Sequence, residues 1–129
     1  MRDHRKLHAF QLADELVMRI YSATRNFPDD ERYGLSAQLR RAAVSVGANI
    51  VEGAARPSEG DYVWFLTIAY GSAKELQYEL SIADRLGYLA KPDSRQMKLL
   101  SVETSRVLWA LIAALRASSS SLSPVARSP

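Results

Sequence analysis

The stretch LSAQLRRAAVSVGANIVEGAAR, residues 35–56, decides how this chain folds. Its apolar spacing predicts one long helix, because residues three and four apart share a face at about 100° per residue. The core-facing side carries Leu35, Leu39, Ala42, Val46, Ile50 and Gly53. The opposite side carries Val44, Gly47, Ala48 and Val51, where a surface helix has charged residues. A helix that is apolar on both sides is usually buried on both, so we expect a second copy of the chain to cover the outer side.

A row of polar residues runs along the same helix beside the core-facing side. Its members are Gln38, Arg41, Ser45, Asn49, Glu52 and Arg56. Residues at this spacing stack in a line on a helix. We interpret the row as a structural network of hydrogen bonds and ion pairs between helices or subunits, because buried polar groups must be paired. The alternative interpretation is a binding site.

Three further segments have the apolar spacing of helices, and no strand alternation is present. The first helix is predicted over residues 10–26. The Phe27-Pro28 step ends it, because the residue before a proline disfavours the α region. Asp29 and Asp30 are expected to cap the second helix, which then runs to about residue 55.

The third and fourth helices complete the predicted fold. Ser58 is the expected N-cap of the third helix, and Gly87 is the residue that ends it. Asp93 is the expected cap of the fourth. Four helices with short connections predict an all-α fold, an up-down-up-down antiparallel four-helix bundle. We divide the chain into a flexible N-terminal segment (1–9), the bundle domain (10–117) and a disordered tail rich in Ser and Pro (118–129).

Composition limits the class of protein. The chain of 129 residues is long enough for one domain with a real core. It contains no cysteine, which excludes disulfides and thiolate metal sites and fits a reducing compartment. No apolar run approaches the roughly 20 residues of a membrane span, and the N-terminus lacks the apolar core of a secretory signal. We therefore expect a cytoplasmic protein with no membrane partner.

No residue pattern indicates catalysis or a bound cofactor. His4 and His8 are four residues apart, a spacing that can bind a metal on a helix, but no third ligand accompanies them. The chain has no P-loop, no Gly-rich dinucleotide motif and no persuasive Ser-His-Asp arrangement. We therefore expect no catalytic residue, no metal and no cofactor.

The charge of the chain is mildly basic, at +3 with a pI of about 9.4. Residues 57–86 are acidic and the segments around them are basic, which favours neutralisation between packed helices. Alternatively, basic residues contact nucleic acid. The candidates are Arg2, Arg5, Lys6, Arg40, Lys91, Arg95 and Lys98. The aromatic residues that suit base stacking are Tyr62, Trp64, Tyr70, Tyr78 and Tyr88. Core or interface positions are commoner for such residues.

Two segments together resemble a known family. They are FPDDERYGLSAQLRRAAVSVGANIVEG (27–53) and FLTIAYGSAKELQYEL (65–80). They resemble the 23S rRNA-intervening sequence protein family, also called the four-helix-bundle protein family, and the resemblance extends over about residues 7–117. Val51 stands where alanine is commoner in that family, and Gly47-Ala48 where proline or serine often sits.

The resemblance implies a four-helix bundle that assembles into a ring-shaped homopentamer. The family is named after reading frames inside inserted segments of bacterial large-subunit rRNA genes, and the role of most members is unknown. Related accessory proteins of diversity-generating retroelements are basic pentamers that bind nucleic acid and a reverse transcriptase. We therefore predict a non-enzymatic homo-oligomer, a pentamer, that binds RNA or DNA weakly and without sequence specificity. The alternative is a scaffold or adaptor that binds a protein partner and has no nucleic-acid role.

Overall fold

The fold is a bundle of four long helices in a computed structural model that describes residues 2–122. The helices are α1 (His8–Thr24), α2 (Leu35–Ala54), α3 (Glu59–Arg85) and α4 (Lys91–Leu122). Short 3₁₀ turns at His4–Lys6 and Asp29–Glu31 precede α1 and α2. Each helix packs on the next one in sequence, and α1 also packs on α4. In cross-section α2 is therefore diagonal to α4, and α1 is diagonal to α3. The predicted all-α four-helix bundle is confirmed.

The core is built from the side of α2 that the sequence predicted. Leu39, Val46 and Ile50 are fully enclosed, and each such side chain stabilises the fold by about 1.5–3 kcal/mol. Gly53 belongs to the same side because a Cβ there would lie 2.8 Å from the Cβ of Phe65. Only glycine therefore permits this approach of α2 to α3.

The start of α2 differs from the predicted one. Asp29 and Asp30 lie in the preceding 3₁₀ turn and do not cap α2, which begins at Leu35. The N-cap position is Gly34, which has no side chain. The side chain that reaches the start of the helix is Glu31, whose Oε1 accepts a hydrogen bond from the Leu35 backbone N–H at 3.2 Å. A carboxylate at this position also suits the positive end of the helix dipole. Gly34 separates the 3₁₀ turn from the helix, so the nearest acidic residues by sequence are not the ones that reach its end.

The ends of α3 are as predicted. The Oγ of Ser58 accepts a hydrogen bond from the Asp61 backbone N–H at 3.1 Å, which makes it the N-cap. Gly87 follows the helix with a φ of 77°, the left-handed conformation that glycine adopts without strain. Both signals depend only on neighbouring residues, which is why the sequence could reveal them.

α4 is longer at both ends than the sequence predicted. It begins at Lys91, so Asp93 lies in its first turn and is not its cap. It continues to Leu122, whereas the predicted bundle ended at residue 117 and gave way to a disordered tail. Adding a residue to an existing helix gains one backbone hydrogen bond without a new nucleation step, so a helix can extend past its last packed turn even through serines. The rest of the predicted tail, residues 123–129, lies outside the described residues.

The first residues of the chain contact the bundle. α1 begins at His8, two residues before its predicted start, and His4–Lys6 forms a 3₁₀ turn before it. The guanidinium of Arg2 donates a hydrogen bond to the Arg56 carbonyl oxygen at 2.7 Å and lies 4.0 Å from the centre of the Tyr62 ring. The segment predicted to be flexible is thus placed against the end of α2 and the start of α3.

Candidate functional site

The middle of the predicted polar row joins α2 to α3. The hydroxyls of Ser45 and Ser72 are 2.8 Å apart across the two helices. The Asn49 amide donates to the Ser45 carbonyl oxygen at 2.8 Å and to the Ser45 Oγ at 3.0 Å. All three side chains are half-buried. This part of the row therefore forms hydrogen bonds within α2 and across to α3.

The ends of the row lie in different surroundings. At the C-terminal end, Arg56 donates to Glu52 one helical turn away, and both side chains are exposed. At the N-terminal end, Gln38 and Arg41 are exposed and line a groove between α2 and α3. Arg41 makes neither a hydrogen bond nor an ion pair with another described residue. The six residues therefore form three separate groups and not one continuous network.

The groove between α2 and α3, here called the α2–α3 groove, has a volume of about 340 Å³. Its lining residues are Gln38, Arg41, Ala42, Ser45, Ser72, Glu75 and Glu79. The lining thus combines two carboxyl groups and one guanidinium with hydroxyl and amide groups. Such a lining suits a polar or charged group better than an apolar one.

Glu79 is the most unusual residue of the α2–α3 groove. Its side chain is only 6% exposed, and its Oε1 is screened from solvent and accepts no hydrogen bond from a described residue. Burial and the nearby Glu75 raise the pKa of Glu79 to about 7, against the opposing effect of Arg41. Buried polar atoms without a partner are rare in folded proteins, so this carboxyl group requires an explanation.

The sequence contained a signal for Glu79 that pattern reasoning did not use. Glu79 follows Ser72 by seven residues, so both lie on the side of α3 that faces α2. A glutamate on a surface helix is ordinarily solvated. Which residues of α2 lie opposite it is decided by the packing of the two helices, and that is absent from the spacing of α3 alone.

The outer side of α2 is uncovered in the single chain. Val44 is 46% exposed, and Ala48 and Val51 are also exposed. A Cβ placed on Gly47 would find no other atom within 4 Å, and the same holds for Gly71 on the adjoining surface of α3. Nothing within the described chain therefore requires glycine at either position, and no described residue covers the apolar side of α2.

The outer side of α4 carries a second exposed apolar stripe. Leu99 is 72% exposed and Trp109 is 56% exposed, with Val102 between them. The residues are three or seven apart, so they share one face of the helix. Arg106 lies in the same stripe. Since α4 is diagonal to α2, the two apolar surfaces point to opposite sides of the bundle.

The basic residues predicted to contact nucleic acid do not share one surface. Arg2, Arg5 and Lys6 lie near the end of α2, whereas Lys91, Arg95 and Lys98 begin α4 at the other end of the bundle. Four of the seven form a hydrogen bond or an ion pair within the chain. Besides Arg2, these are Arg5 with Asp3 at 2.9 Å, Arg40 with the Thr24 hydroxyl at 2.8 Å, and Lys91 with Asp84 at 3.6 Å. Lys6, Arg95 and Lys98 form no ion pair or hydrogen bond with the described part of the chain.

Among residues 2–122, no three His, Cys, Asp or Glu side chains come close enough together to hold a metal ion. His4 instead packs edge-on against Phe10, with ring centres 4.8 Å apart. None of the helices in that range combines the length and the apolar character that a membrane span requires.

Comparison with known proteins identifies the family. The sequence model of the 23S rRNA-intervening sequence protein matches residues 5–110. The chain belongs to this family. A crystal structure of a protein of unknown function from the S23 ribosomal protein family of Bacteroides thetaiotaomicron is similar, with 25% identity and a TM-score of 0.74 over 81% of this chain and 95% of that one. A search of curated protein sequences gave no match.

The 23S rRNA-intervening sequence protein match covers the whole α2–α3 groove and both apolar stripes. The resemblance seen in residues 27–53 and 65–80 is thus confirmed at the level of family and fold. Neither the family description nor the similar crystal structure points to catalysis.

Proposed function

We propose that this member of the 23S rRNA-intervening sequence protein family is a non-enzymatic scaffold that assembles from copies of itself into a ring. The observation that carries the proposal is the pair of apolar stripes on opposite sides of the bundle, one on α2 and one on α4. Joining two different surfaces of one molecule gives head-to-tail contacts, which close into rings when the rotation permits. The family resemblance alone supplies the number five.

The composition of the stripes supports a contact between proteins. Contiguous exposed apolar residues mark interaction surfaces on soluble proteins. Trp109 is exposed on the α4 stripe, and tryptophan is enriched among the residues that dominate binding energy at interfaces. A cytoplasmic location is part of the same proposal, supported by the absence of cysteine from the sequence.

Light scattering coupled to size-exclusion chromatography tests the assembly. We expect a mass about five times the 14.4 kDa of one chain at micromolar concentration. Val51→Asp should disperse the ring, because it places an uncompensated charge in the apolar contact. Met18→Asp is the matched control, since Met18 is an exposed apolar residue on α1, outside both stripes. A mass near one chain for the unaltered protein would refute the proposal.

A second candidate function is weak, sequence-independent binding of RNA or DNA. It is favoured by Lys91, Arg95 and Lys98, which are exposed at helical spacing on the first turns of α4. Lys98 and Lys74 also line a groove of about 390 Å³ between α3 and α4. Ring assembly would repeat this basic surface in every copy and so increase its field. A protein partner is the alternative for the same assembly.

Fluorescence anisotropy with single- and double-stranded RNA and DNA tests this function. Phosphate contacts predict that affinity falls steeply between about 50 and 200 mM salt. Lys98→Ala should weaken binding and lower the slope of log affinity against log salt by about 1. Arg5→Ala also removes one positive charge, but Arg5 is already paired with Asp3. It should therefore change the slope less than Lys98→Ala does. Absence of binding at the lowest salt would exclude nucleic acid and direct the search to proteins.

A further inference from the structure

We propose that the α2–α3 groove is the docking site for the Arg106 guanidinium of a second copy of the chain. This docking rests on the proposed ring assembly and adds to it the polar contact that fixes how neighbouring copies align. Arg106 lies within the apolar stripe of α4, and the groove opens beside the apolar side of α2. Contact between the two apolar surfaces would therefore bring the arginine to the groove.

The charges of the groove are complementary to an arginine. Glu75 and Glu79 carry two negative charges when ionised, and Arg41 supplies only one positive charge. The Oε1 of Glu79 lacks a hydrogen-bond donor. A guanidinium has five N–H donors in a planar fork that matches carboxylates, so one arginine in the groove would pair with the exposed Glu75 and neutralise the remaining charge. It would also offer a donor to Glu79 once that side chain turns its carboxyl group toward the groove.

The heights of these residues along the bundle also agree. The Gln77 amide of α3 donates to the Ser105 hydroxyl of α4 at 2.9 Å, so these two residues lie at the same level. Glu75 and Arg106 are next to that level, because each residue of a helix rises only about 1.5 Å. Rotation about an axis parallel to the helices leaves height unchanged. In such a ring, Arg106 of one copy would meet Glu75 of the next, with Glu79 one turn farther along.

The same register of α3 and α4 also places a glycine of α3 level with Trp109. Trp109 packs against Tyr70 of its own chain with ring centres 5.4 Å apart, which places Trp109 level with Gly71. A Cβ on Gly71 would meet no atom within 4 Å, so alanine would fit there in the single chain. Glycine is nevertheless present, even though it weakens a helix relative to alanine. The same rotation brings Trp109 of the neighbour to this height, where the missing side chain leaves room for an indole ring.

Arg106 fits the groove better than Arg95, the exposed arginine on the same face of α4. Arg95 precedes it by three turns of helix, which places it level with the end of α3 and away from both glutamates. Among the described residues, Arg106 pairs with Glu103 of its own helix and with no other acidic residue, at 3.4 Å and with the Arg106 side chain 72% exposed. Exposed pairs of this kind are weak, so Arg106 is free to exchange partners.

A charge exchange tests the docking. The variants are Arg106→Glu, Glu75→Arg and the double variant, compared by analytical ultracentrifugation over a dilution series. Each single change should raise the concentration at which the assembly dissociates by at least about ten-fold, because it sets like charges against each other. In the double variant the dissociation concentration should return to within about three-fold of that of the unaltered protein, because the ion pair forms again with its two charges exchanged. Arg116→Glu makes the same charge change elsewhere on α4 and should have little effect.

The outcomes separate this docking from the assembly itself. If the unaltered protein is a single chain, the proposed ring and the docking both fail. If it assembles and Arg106→Glu dissociates no more readily than Arg116→Glu, the docking is refuted and the ring stands. If both single changes weaken assembly and the double variant does not recover, the pairing of Arg106 with Glu75 is wrong. Circular dichroism of every variant checks that the helices are intact. We expect no loss of helix, because Glu75 and Arg106 are both exposed.

Discussion

The two sides of α3 differ in how completely their polar groups are paired. On the side that faces α4, Gln77 donates to both the Ser101 carbonyl oxygen and the Ser105 hydroxyl, and Ser94 donates to Asp84 at 2.8 Å. On the side that faces α2, Ser45 and Ser72 pair, but the buried Oε1 of Glu79 has no donor among the described residues. The first contact is complete within one chain, whereas the second is complete only if a group from outside the chain enters the groove.

The difference in hydrogen-bond pairing indicates which side of α3 binds a partner. A buried carboxyl group without a donor lowers the stability of the single chain, and a partner that supplies a donor would compensate for that loss. Such a cost is tolerated where assembly or binding compensates for it. The exposed Val44 and Val51 also lie on α2. An apolar surface and an unpaired carboxyl group are therefore both found on this helix and the groove beside it.

The largest expected effect comes from Glu79→Gln, measured in the dispersed Val51→Asp background. The pKa of Glu79 in the folded chain is about 7, raised from an ordinary value near 4.5, so the folded state holds the proton more tightly than the unfolded state. Stability is therefore full below about pH 4.5 and falls by about 3 kcal/mol as the pH rises through 7. The amide introduced by the substitution stays neutral, so the variant should not lose this stability.

Urea denaturation at pH 5 and pH 8 measures that effect. Glu59→Gln is the control, because Glu59 is an exposed carboxyl group in the first turn of α3, about 30 Å along the helix from Glu79. It should leave the pH dependence that Glu79 causes intact. Equal loss of stability in Glu79→Gln and in its parent between the two pH values would show that Glu79 does not titrate in this range.

Gln77→Ala probes the paired side of α3. It removes the donor to Ser101 and Ser105 and leaves their acceptors in a half-buried contact, so unfolding should become easier by about 2 kcal/mol. Because no carboxyl group is involved, the loss should be the same at pH 5 and pH 8. A pH-dependent loss in urea denaturation would show that the two sides of α3 are not independent.

Asn49→Ala should lower stability by roughly 1–1.5 kcal/mol, since both acceptors of its amide belong to Ser45 of the same helix and are half-buried. Thermal unfolding followed by circular dichroism measures this change. An unchanged melting temperature, combined with the loss of a bound molecule, would favour the binding-site interpretation of the polar row.

Gly71→Ala should have the smallest effect on the single chain, and in the favourable direction. Alanine improves helix propensity by up to about 1 kcal/mol, and a Cβ at this position meets no neighbouring atom. The same change should weaken assembly, because it fills the space that the docking assigns to Trp109. Gly53→Ala is the contrasting control, since its Cβ would clash with Phe65 and destabilise the fold itself. Denaturation and light scattering on each variant separate the two effects.

Periodicity and local turn chemistry predicted much of this molecule. The core side of α2, its exposed apolar side, the Ser58 cap and the Gly87 turn all follow from residues within a few positions of one another. The hydrogen bond that Glu31 supplies to the start of α2 was missed, because a 3₁₀ turn and Gly34 intervene. The role of Glu79 was missed because it depends on which residues of α2 lie across from α3. Caps and turns can be predicted from one segment of sequence. The contacts between two helices can be identified only in the packed structure.

The titration of the Glu79 carboxyl group tests most directly whether a second copy completes the α2–α3 groove. It can be followed by ¹³C NMR of protein labelled at glutamate carboxyl carbons, with Glu79→Gln to assign the signal. In the dispersed Val51→Asp variant the pKa should be about 7. In the assembled protein it should be clearly lower, because the Arg106 guanidinium of the neighbour favours the ionised form. The same pKa in both forms would contradict the docking of Arg106 against Glu79.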